Sequence, residues 1–526
     1  MGIPYYFSYL IQNYSKILEK LENLGSIDNL YIDSNSIIYD SINFENFDSK
    51  NQFEKLIIES VLTKLEFLIE TIKPKKNVII AFDGVPPFAK VSQQKNRRYK
   101  SWYQANMLNK TILWDTCSIT PGTKFMEKLN SEIRKKFKKK TTLNIILSLS
   151  DSPGEGEHKI YAYLRNHEHI NDSTLIYGMD ADLFMLSLNH LKYCKNIYLY
   201  RETPQFIKSL NIDLDPDQHY TINIYDLGVQ IFKELCKDVF DGKNYDLFYN
   251  KIEDYIFICF LLGNDFMPHF PAINIRLNGF TALLELYKKI FDKNTFLCKN
   301  GEIVWSNFRK YIKLLGENEE IFLKEVYNIR LKQSKKFYPE NTEQEKEFKF
   351  IATPSYERNI ENFINPYENC WEYRYYYSLF DIDVDKDKDA IGKICINYLE
   401  TLQWTYYYYS RDCINWSHYY KYHYPPLLVD LYKHIPYFGS ELVLKEDMHI
   451  LDPYLLLSYV LPKNSLGLLP DNIHNYLLKN YENHYKNEYE FVYAFCKYFW
   501  EGHVKFPELD NTKFSNDVNI TIMINK

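Results

Sequence analysis

The chain has 526 residues, of which 46% are hydrophobic and 25% charged, and its formal net charge is −6. This length can bury one large core or two to three ordinary ones, and the negative charge does not by itself indicate a nucleic-acid binder. No apolar run approaches the roughly 20 residues that a membrane-spanning helix needs, and no signal peptide or myristoylation pattern is present. The nine cysteines are scattered and never spaced as Cys-x-x-Cys, which argues against a zinc module and for reduced thiols. We therefore expect an intracellular protein without a membrane partner, with the cytoplasm favoured and the nucleus not excluded.

The first part of the chain, residues 1–290, alternates short β-rich runs with longer amphipathic stretches, as doubly wound α/β domains do. Two of the amphipathic stretches are Phe53–Ile72 and Gly122–Phe137. The β-rich runs predict strands at 29–33, 78–83, 143–149, 174–179 and 196–201. The sequence thus predicts an α/β fold whose central, largely parallel and twisted sheet is flanked by helices.

The second part of the chain has a different pattern. The periodic signal weakens over 291–365, which we interpret as a variable insertion or linker, and it returns over 366–526 as aromatic-rich helices. One helical face is formed by Ile391, Ile394, Tyr398 and Leu402. We therefore expect a helical second region that packs on the α/β core.

Carboxylates follow several consecutive predicted segments in the first part. In an open α/β sheet the carboxyl ends of the strands meet in one crevice, where clustered carboxylates repel each other unless a cation lies among them. Hard divalent ions such as Mg²⁺ prefer oxygen ligands and pair carboxylates with substrate phosphates. The pattern predicts a metal-dependent enzyme acting on phosphate esters, with these acids in its site: Asp33, Asp83, Glu155, Glu157, Asp180, Asp182 and Asp265.

Each acid taken alone has an ordinary explanation. Acids are common in the first turn of a helix because they complement its dipole, which would account for Glu155 and Glu157. Short acidic loops such as Asp180 to Asp182 are often merely solvated, and Asp265 could end a helix. Their joint occurrence after consecutive elements favours the metal site.

A basic face follows Asp83 directly. If residues 89–101 are helical, one side of the helix presents Lys90, Gln94, Arg97 and Arg98. Planar guanidinium groups suit bidentate phosphate recognition, although a solvated basic face is the commoner fate of such clusters. The proximity to Asp83 favours a phosphate pocket beside the metals. The run Arg134 to Lys140 is weaker evidence for a binding site, because it ends a predicted helix, where cations complement the helix dipole. A nucleic-acid contact or a nuclear localisation run stays an alternative for it.

These motifs resemble the XRN family of 5′→3′ exoribonucleases, from residue 1 to about 510. The resemblance rests on the segments Met1–Pro4, Tyr31–Asn35, Phe82–Pro87, Gln93–Arg98, Ile119–Thr123, Pro153–Ile160, Tyr177–Asp182, Gly263–His269, Leu402–Trp404 and Tyr420–Pro425.

The resemblance implies a PIN/flap-nuclease-like core and a reaction. Single-stranded RNA with a 5′-monophosphate would be hydrolysed processively to 5′-mononucleotides, as in mRNA decay, with two Mg²⁺ ions for which Mn²⁺ can substitute and no organic cofactor. The seven acids would hold the metals, and Lys90, Gln94, Arg97 and Arg98 would bind the 5′-phosphate. We expect a monomer. Decapping enzymes and helicases stay open as partners, since no sequence motif indicates either.

The sequence departs from the family pattern at the base-stacking positions. Tyr39 replaces the family histidine, and the tryptophan that would stack with it is placed at Trp404, with Trp416 as the alternative. His418 stands where a second tryptophan is usual. The long C-terminal extensions of cytoplasmic members are missing, so the resemblance implies a minimal form of the kind that a large DNA virus or a protist would encode.

Two functions other than a 5′→3′ exoribonuclease are alternatives for this sequence. A flap or structure-specific DNA endonuclease of the same superfamily would need a helix-hairpin-helix segment near Asp265, and none is seen. A non-catalytic scaffold that binds RNA 5′ ends is disfavoured because all seven acids are present.

Overall fold

The computed structural model describes residues 3, 5–43, 49–110, 113–138 and 143–524. Part of the first family-like motif (Met1, Gly2 and Pro4) and the end of the basic run (Lys139 and Lys140) lie outside these residues. The strands are β1 Leu18–Lys20, β2 Asn29–Asp33, β3 Asn77–Ala81, β4 Asn144–Ser148, β5 Ser173–Tyr177, β6 Asn196–Arg201, β7 Tyr220–Asn223, β8 Cys298–Lys299, β9 Glu302–Ile303, β10 Glu490–Val492 and β11 His503–Lys505.

The α-helices outnumber the strands and fill the second half of the chain. They are α1 Tyr6–Asn13, α2 Asn35–Asp40, α3 Lys50–Ile72, α4 Phe88–Met107, α5 Lys124–Phe137, α6 Gly156–Asn166, α7 Asp182–Asn189, α8 Ile207–Leu210, α9 Ile224–Cys236, α10 Tyr245–Phe260, α11 Gly279–Ile290, α12 Trp305–Gly316, α13 Glu319–Gln333, α14 Glu343–Ile351, α15 Thr353–Tyr356, α16 Asn359–Ile364, α17 Trp371–Phe380, α18 Ala390–Ser410, α19 Leu428–His434, α20 Pro453–Val460, α21 Asp471–Asn480 and α22 Asn511–Met523. Among the described residues, none of these helices has the length and apolarity needed to cross a bilayer.

The central sheet has seven strands in the order β1-β7-β6-β5-β2-β3-β4. The five strands from β6 to β4 are parallel, and β7 and β1 extend the β6 edge in antiparallel fashion. All five predicted strands are present, which confirms the α/β class with a largely parallel sheet. Since β2 lies between β3 and β5, their carboxyl ends meet at the middle of one sheet edge.

Helices cover both faces of the sheet. On one face α3 and α5 pack their apolar stripes against the strands, with Ile57, Leu65 and Leu129 fully buried. On the other face α6, α7, α9 and α10 pack between the sheet and the helical second region, in one continuous core. The two parts of the chain therefore share a hydrophobic interior.

Helix α18 is the centre of the second region. Every side chain from Thr401 to Ser410 is buried, so the C-terminal half of this helix is enclosed on all sides. The predicted helical face around Tyr398 is thus confirmed. The predicted variable insertion at 291–365 contains five helices, α12 to α16, and a buried ion pair of Arg330 with Glu361 at 2.5 Å. The boundaries at 290 and 365 stay predictions.

Candidate active site

The carboxyl edge of the sheet delivers most of the predicted acids. Asp33 is the last residue of β2, and Asp83 follows β3. Asp180 lies in the loop between β5 and α7, and Asp182 is the first residue of α7. Glu155 precedes α6 and Glu157 lies in its first turn. Asp265 differs because it follows α10, so a helix and not a strand brings it to the site.

A pocket of about 180 Å³ joins the acids to the basic face. Its wall contains five of the seven acids, all four residues of the predicted phosphate set, and Tyr39. The remaining two acids, Asp182 and Asp265, lie beside it: both contribute to the local charge, and Asp265 is paired with Lys90 of the pocket wall. The structure therefore brings together residues that lie up to 232 positions apart in the sequence (33 to 265).

Glycine permits the close approach of the elements around Asp33. A Cβ atom on Gly156 would lie 2.7 Å from Asp33 Oδ1, and one on Gly178 would lie 3.3 Å from Asp33 Cβ. Asp83 is held by its neighbours. The Asn35 side chain donates to Asp83 Oδ2 at 2.5 Å, and the Gly156 N–H donates to Asp83 Oδ1 at 2.7 Å. The carboxylates are thus fixed in place by backbone geometry and by hydrogen bonds.

The pocket carries excess negative charge. Burial raises the pKa of Asp33 well above its ordinary value, and the charges of Asp83 and Asp180 raise it further. Burial also raises the pKa of Glu157, against the opposing effect of Lys90, and that of Asp182 to about 7. Each raised pKa means that the ionised group is poorly solvated and repelled by its neighbours. A bound cation would relieve this repulsion.

Lys90 supplies part of the missing positive charge. Its ammonium lies 2.6 Å from Glu155 Oε2 and 2.7 Å from Asp265 Oδ2, so although burial opposes it, Lys90 lowers the pKa of Asp265. This position differs from the predicted one, in which Lys90 binds the 5′-phosphate. The helical spacing placed Lys90 on the arginine face, but its long side chain reaches the nearer carboxylates.

The acids are not arranged as a ready-made metal site. Within the described part of the chain, no three histidine, cysteine, aspartate or glutamate side chains are grouped so that they could hold a metal ion. Lys90 lies between two of the predicted ligands and separates them. The donor set nevertheless fits a divalent ion chemically, because it consists of hard carboxylate oxygens with unbalanced charge. The metal-ligand roles of the seven acids stay predictions.

The arginine face of α4 is confirmed as a helix face that lines the pocket. Arg98 Nη1 and Gln94 Oε1 are buried and have no hydrogen-bond partner within the described residues. Burial lowers the pKa of Arg98 from its ordinary value. In the same part of the chain, neither Arg97 nor Arg98 forms an ion pair, whereas the buried cations Lys90, Arg330 and Arg358 do. Two guanidinium groups beside a carboxylate pocket are therefore available to an anion.

The structure separates the two predicted stacking residues. Tyr39 lies on α2 with 43% of its surface exposed and lines the pocket. Trp404 is 0% exposed, donates its indole N–H to Asn415 O at 2.7 Å, and stacks on Tyr408. The predicted base-stacking role of Trp404 is wrong, because both faces of its ring are covered. The alternative, Trp416, is partly exposed, and its carbonyl accepts the N–H of Phe88 at the start of α4.

Sequence reasoning missed the tyrosines that support the acids. Tyr408 Oη donates to Glu155 Oε1 at 2.8 Å, and the Tyr408 ring stacks on His158 at 3.7 Å. Tyr409 forms a hydrogen bond with Asp182. The available signal was the run of four tyrosines, Tyr406 to Tyr409, on one helix. These two hydrogen bonds tie the helical region to the metal-binding candidates of the α/β core.

Replacing Tyr408 by phenylalanine tests this support. The variant keeps the ring that packs on His158 and removes one hydrogen bond to Glu155. Groups that orient metal ligands typically contribute about 10–100-fold to metal affinity or activity, and we expect a loss in that range. A calorimetric titration with Mn²⁺ measures it. Tyr407→Phe is the matched control, because Tyr407 donates to Glu302 at 2.6 Å. Equal affinities in the two variants would contradict the supporting role.

The site and the fold together define a class of protein. A carboxylate cluster at the carboxyl edge of a parallel sheet, with unpaired guanidinium groups beside it, is typical of hydrolases that cleave phosphate esters with divalent metals. Comparison with family models then identifies the family within this class. The model for the "XRN 5'-3' exonuclease N-terminus" matches residues 1–203, and that for the "Xrn1 helical domain" matches 245–359 and 340–521. The chain belongs to the XRN family.

Several curated proteins are similar to the chain. It is 27% identical to "5'-3' exoribonuclease 1" of Saccharomyces cerevisiae over 89% of this chain and 40% of that protein. It is 26% identical to the human protein of the same name over 98% of this chain and 34% of that protein. The chain thus spans less than half the length of these relatives. Among solved structures, the catalytic core of Rad2 in complex with DNA substrate gives a TM-score of 0.33 at 13% identity, over 63% of this chain and 80% of that one.

Proposed function

We propose that the chain is a 5′→3′ exoribonuclease that hydrolyses single-stranded RNA with a 5′-monophosphate and releases 5′-mononucleotides. The observation that carries the proposal is one pocket whose wall contains five of the acids together with Arg97 and Arg98. Such a pocket holds a phosphate next to the groups that would bind metal. The family membership of the chain and the names of its relatives support the same activity.

The acids would hold two divalent ions, Mg²⁺ or Mn²⁺. When bound, such a pair supplies a hydroxide nucleophile at neutral pH and stabilises the leaving oxygen. The protein contributes the geometry. Asn35 and the Gly156 N–H orient Asp83, while Tyr408 orients Glu155. A divalent ion held by Glu155 and Asp265 would replace Lys90 at these two carboxylates, and the Lys90 ammonium would then be available to the substrate phosphate.

The arginine face would select the RNA end. Arg97, Arg98 and Gln94 lie on one side of the pocket, where Arg98 Nη1 is a donor without a partner within the described residues. The two guanidinium groups would bind the terminal phosphate. A monophosphate would fit beside the two guanidinium groups, whereas a cap or a triphosphate would need more of the pocket volume of about 180 Å³. Tyr39 is exposed beside these groups and can stack on the terminal base, which contributes ~1–3 kcal/mol. These features together favour exonucleolytic cleavage from the 5′ end.

The experiment compares one RNA sequence with four 5′ ends: monophosphate, triphosphate, cap and hydroxyl. We expect metal-dependent release of mononucleotides from the monophosphate RNA, and little from the other three. A flap DNA substrate is included in the same assay. Asp180→Ala serves as the variant expected to be inactive, and Arg98→Ala as the variant expected to lose binding of the RNA 5′ end. Endonucleolytic cuts in the flap DNA would favour a structure-specific DNA endonuclease. Tight binding of the RNA end without hydrolysis would favour a scaffold.

A further inference from the structure

A second and larger cavity lies on a neighbouring face of α4. Its volume is about 480 Å³, compared with about 180 Å³ for the acidic pocket. The helix presents one face to the acidic pocket, through Lys90, Gln94 and Arg98, and a face roughly 140° away to the larger cavity. The residues on that second face are Ala89, Ser92, Gln93, Asn96 and Lys100. Arg97 lies at the edge between the two faces and lines both cavities, whereas Asp265, in the turn after α10, lines only the larger one.

The wall of the larger cavity combines aromatic rings with positive charge. Its rings include Phe266, Tyr422, His423, Tyr498, Trp500 and His503. Burial lowers the pKa of His423 to about 4, so this imidazole is neutral at pH 7, and it stacks on His503 at 4.8 Å. Neutral aromatic faces of this kind bind nucleobases by stacking.

The charge balance of the larger cavity favours an anion. Four cationic side chains line it: Arg97, Lys100, Arg276 and Lys421. Its two acids are both neutralised, Asp265 by Lys90 and Glu501 by Arg276. In addition, Asn264 Nδ2 and His269 Nε2 in the wall have no hydrogen-bond partner within the described residues. The cavity is therefore large enough for a nucleotide, carries net positive charge and contains unsatisfied polar groups.

We propose that this cavity receives the nucleoside 5′-monophosphate after its release in the acidic pocket, an inference that rests on the proposed exoribonuclease function. In processive hydrolysis the remaining RNA occupies the entrance to the pocket, so the product needs a second way out. The phosphate of the product is already bound by Arg97. Since Arg97 also lines the larger cavity, the mononucleotide passes between the two without leaving this guanidinium.

The test uses the 526-residue chain and its Lys421→Glu variant. Lys421 is exposed, lines only the larger cavity and has no catalytic role, so this variant is expected to fold. We expect its single-turnover release of the first nucleotide to match the wild type, while steady-state hydrolysis slows and the inhibition constant of added 5′-AMP rises about ten-fold. Lys445→Glu is the matched control, because Lys445 is exposed in the same helical region and lies outside the cavity wall.

A calorimetric titration with 5′-AMP alone decides the inference without hydrolysis. We expect two sites in the wild type, of which Lys421→Glu weakens one and Arg98→Gln weakens the other. A single site that only Arg98→Gln weakens would overturn the inference while leaving the proposed function intact. An increased KM for RNA with an unchanged 5′-AMP affinity would also overturn it, because the cavity would then bind substrate. Absence of hydrolysis in the wild type would instead refute the proposed function.

Discussion

Replacing Asp33 by asparagine is expected to reduce RNA hydrolysis by about 10³-fold or more, while stabilising the metal-free protein. Asp33 ends the central strand β2 inside the acidic pocket and is only 7% exposed. Asparagine has nearly the same shape and keeps one oxygen, but it lacks the charge that a divalent ion needs. Since metal catalysis contributes several kcal/mol and each 1.36 kcal/mol is ten-fold in rate, the loss of one carboxylate has this magnitude.

The stability of the same variant should change in the opposite direction. Burial and the charges of Asp83 and Asp180 raise the pKa of Asp33 above its value of about 3.9 in an unfolded chain. The folded state therefore disfavours ionisation, and the free energy of unfolding falls as the pH rises from the unfolded pKa towards the folded one. Asp33→Asn lacks this charge. Urea denaturation in EDTA should show it to be more stable than the wild type at pH 7, with a smaller difference at pH 4.

Asp172→Asn is the matched control, since it makes the same change at the opposite end of the sheet. Asp172 precedes β5, and although burial opposes it, hydrogen bonds from Lys76 and Asn29 lower its pKa. This carboxylate contributes stability above its unfolded pKa, and that contribution is lost as the pH falls. The control should therefore lose stability at pH 7 and keep its activity. If Asp33→Asn also destabilises the metal-free protein, the carboxylates do not repel each other as the pocket geometry implies.

The parallel sheet and the convergence of the acids could be predicted from the sequence. Five apolar runs of strand length identified β2 to β6, and the rule that carboxyl ends of strands share one crevice placed Asp33 beside Asp83 and Asp180. The predicted strand 78–83 ends two residues beyond β3 because its apolar run continues into the loop that carries Asp83. Strands β1 and β7 have only three and four residues, too few to show a period.

The side-chain partners could not be predicted in the same way. The C-terminal half of α18 carries aromatic residues on every side, so its sequence does not distinguish a tryptophan that faces substrate from one that lies in the core. Trp404 and Tyr408 are four residues apart on that helix, yet only Tyr408 reaches an acid, Glu155, 253 positions away. Lys90 lies on the same side of α4 as the two arginines, but its side chain is long enough to reach the carboxylates of Glu155 and Asp265. Long-range packing, which no local pattern encodes, decides these contacts.

Replacing Arg98 by glutamine is expected to abolish discrimination between RNA 5′ ends. Arg98 Nη1 is buried in the pocket wall without a partner in the described part of the chain, and burial lowers its pKa. Removing one partner of a buried charge pair typically costs about 2–5 kcal/mol. The value of kcat/KM for 5′-monophosphate RNA should therefore fall by about 10²-fold or more, whereas that for 5′-hydroxyl RNA should barely change, because no terminal phosphate is present to be bound.

The ratio of the two kcat/KM values is the measurement that separates phosphate recognition from general damage. Arg134→Gln provides the control, since Arg134 forms an exposed ion pair with Asp151 at 2.5 Å, and such pairs contribute little. Arg98→Gln should retain the wild-type stability or exceed it, because an unpaired buried guanidinium is replaced by a neutral amide. A loss of activity by the same factor on both RNAs would mean that Arg98 acts on the cleaved bond or on the fold, and the 5′-phosphate would then have to be bound elsewhere.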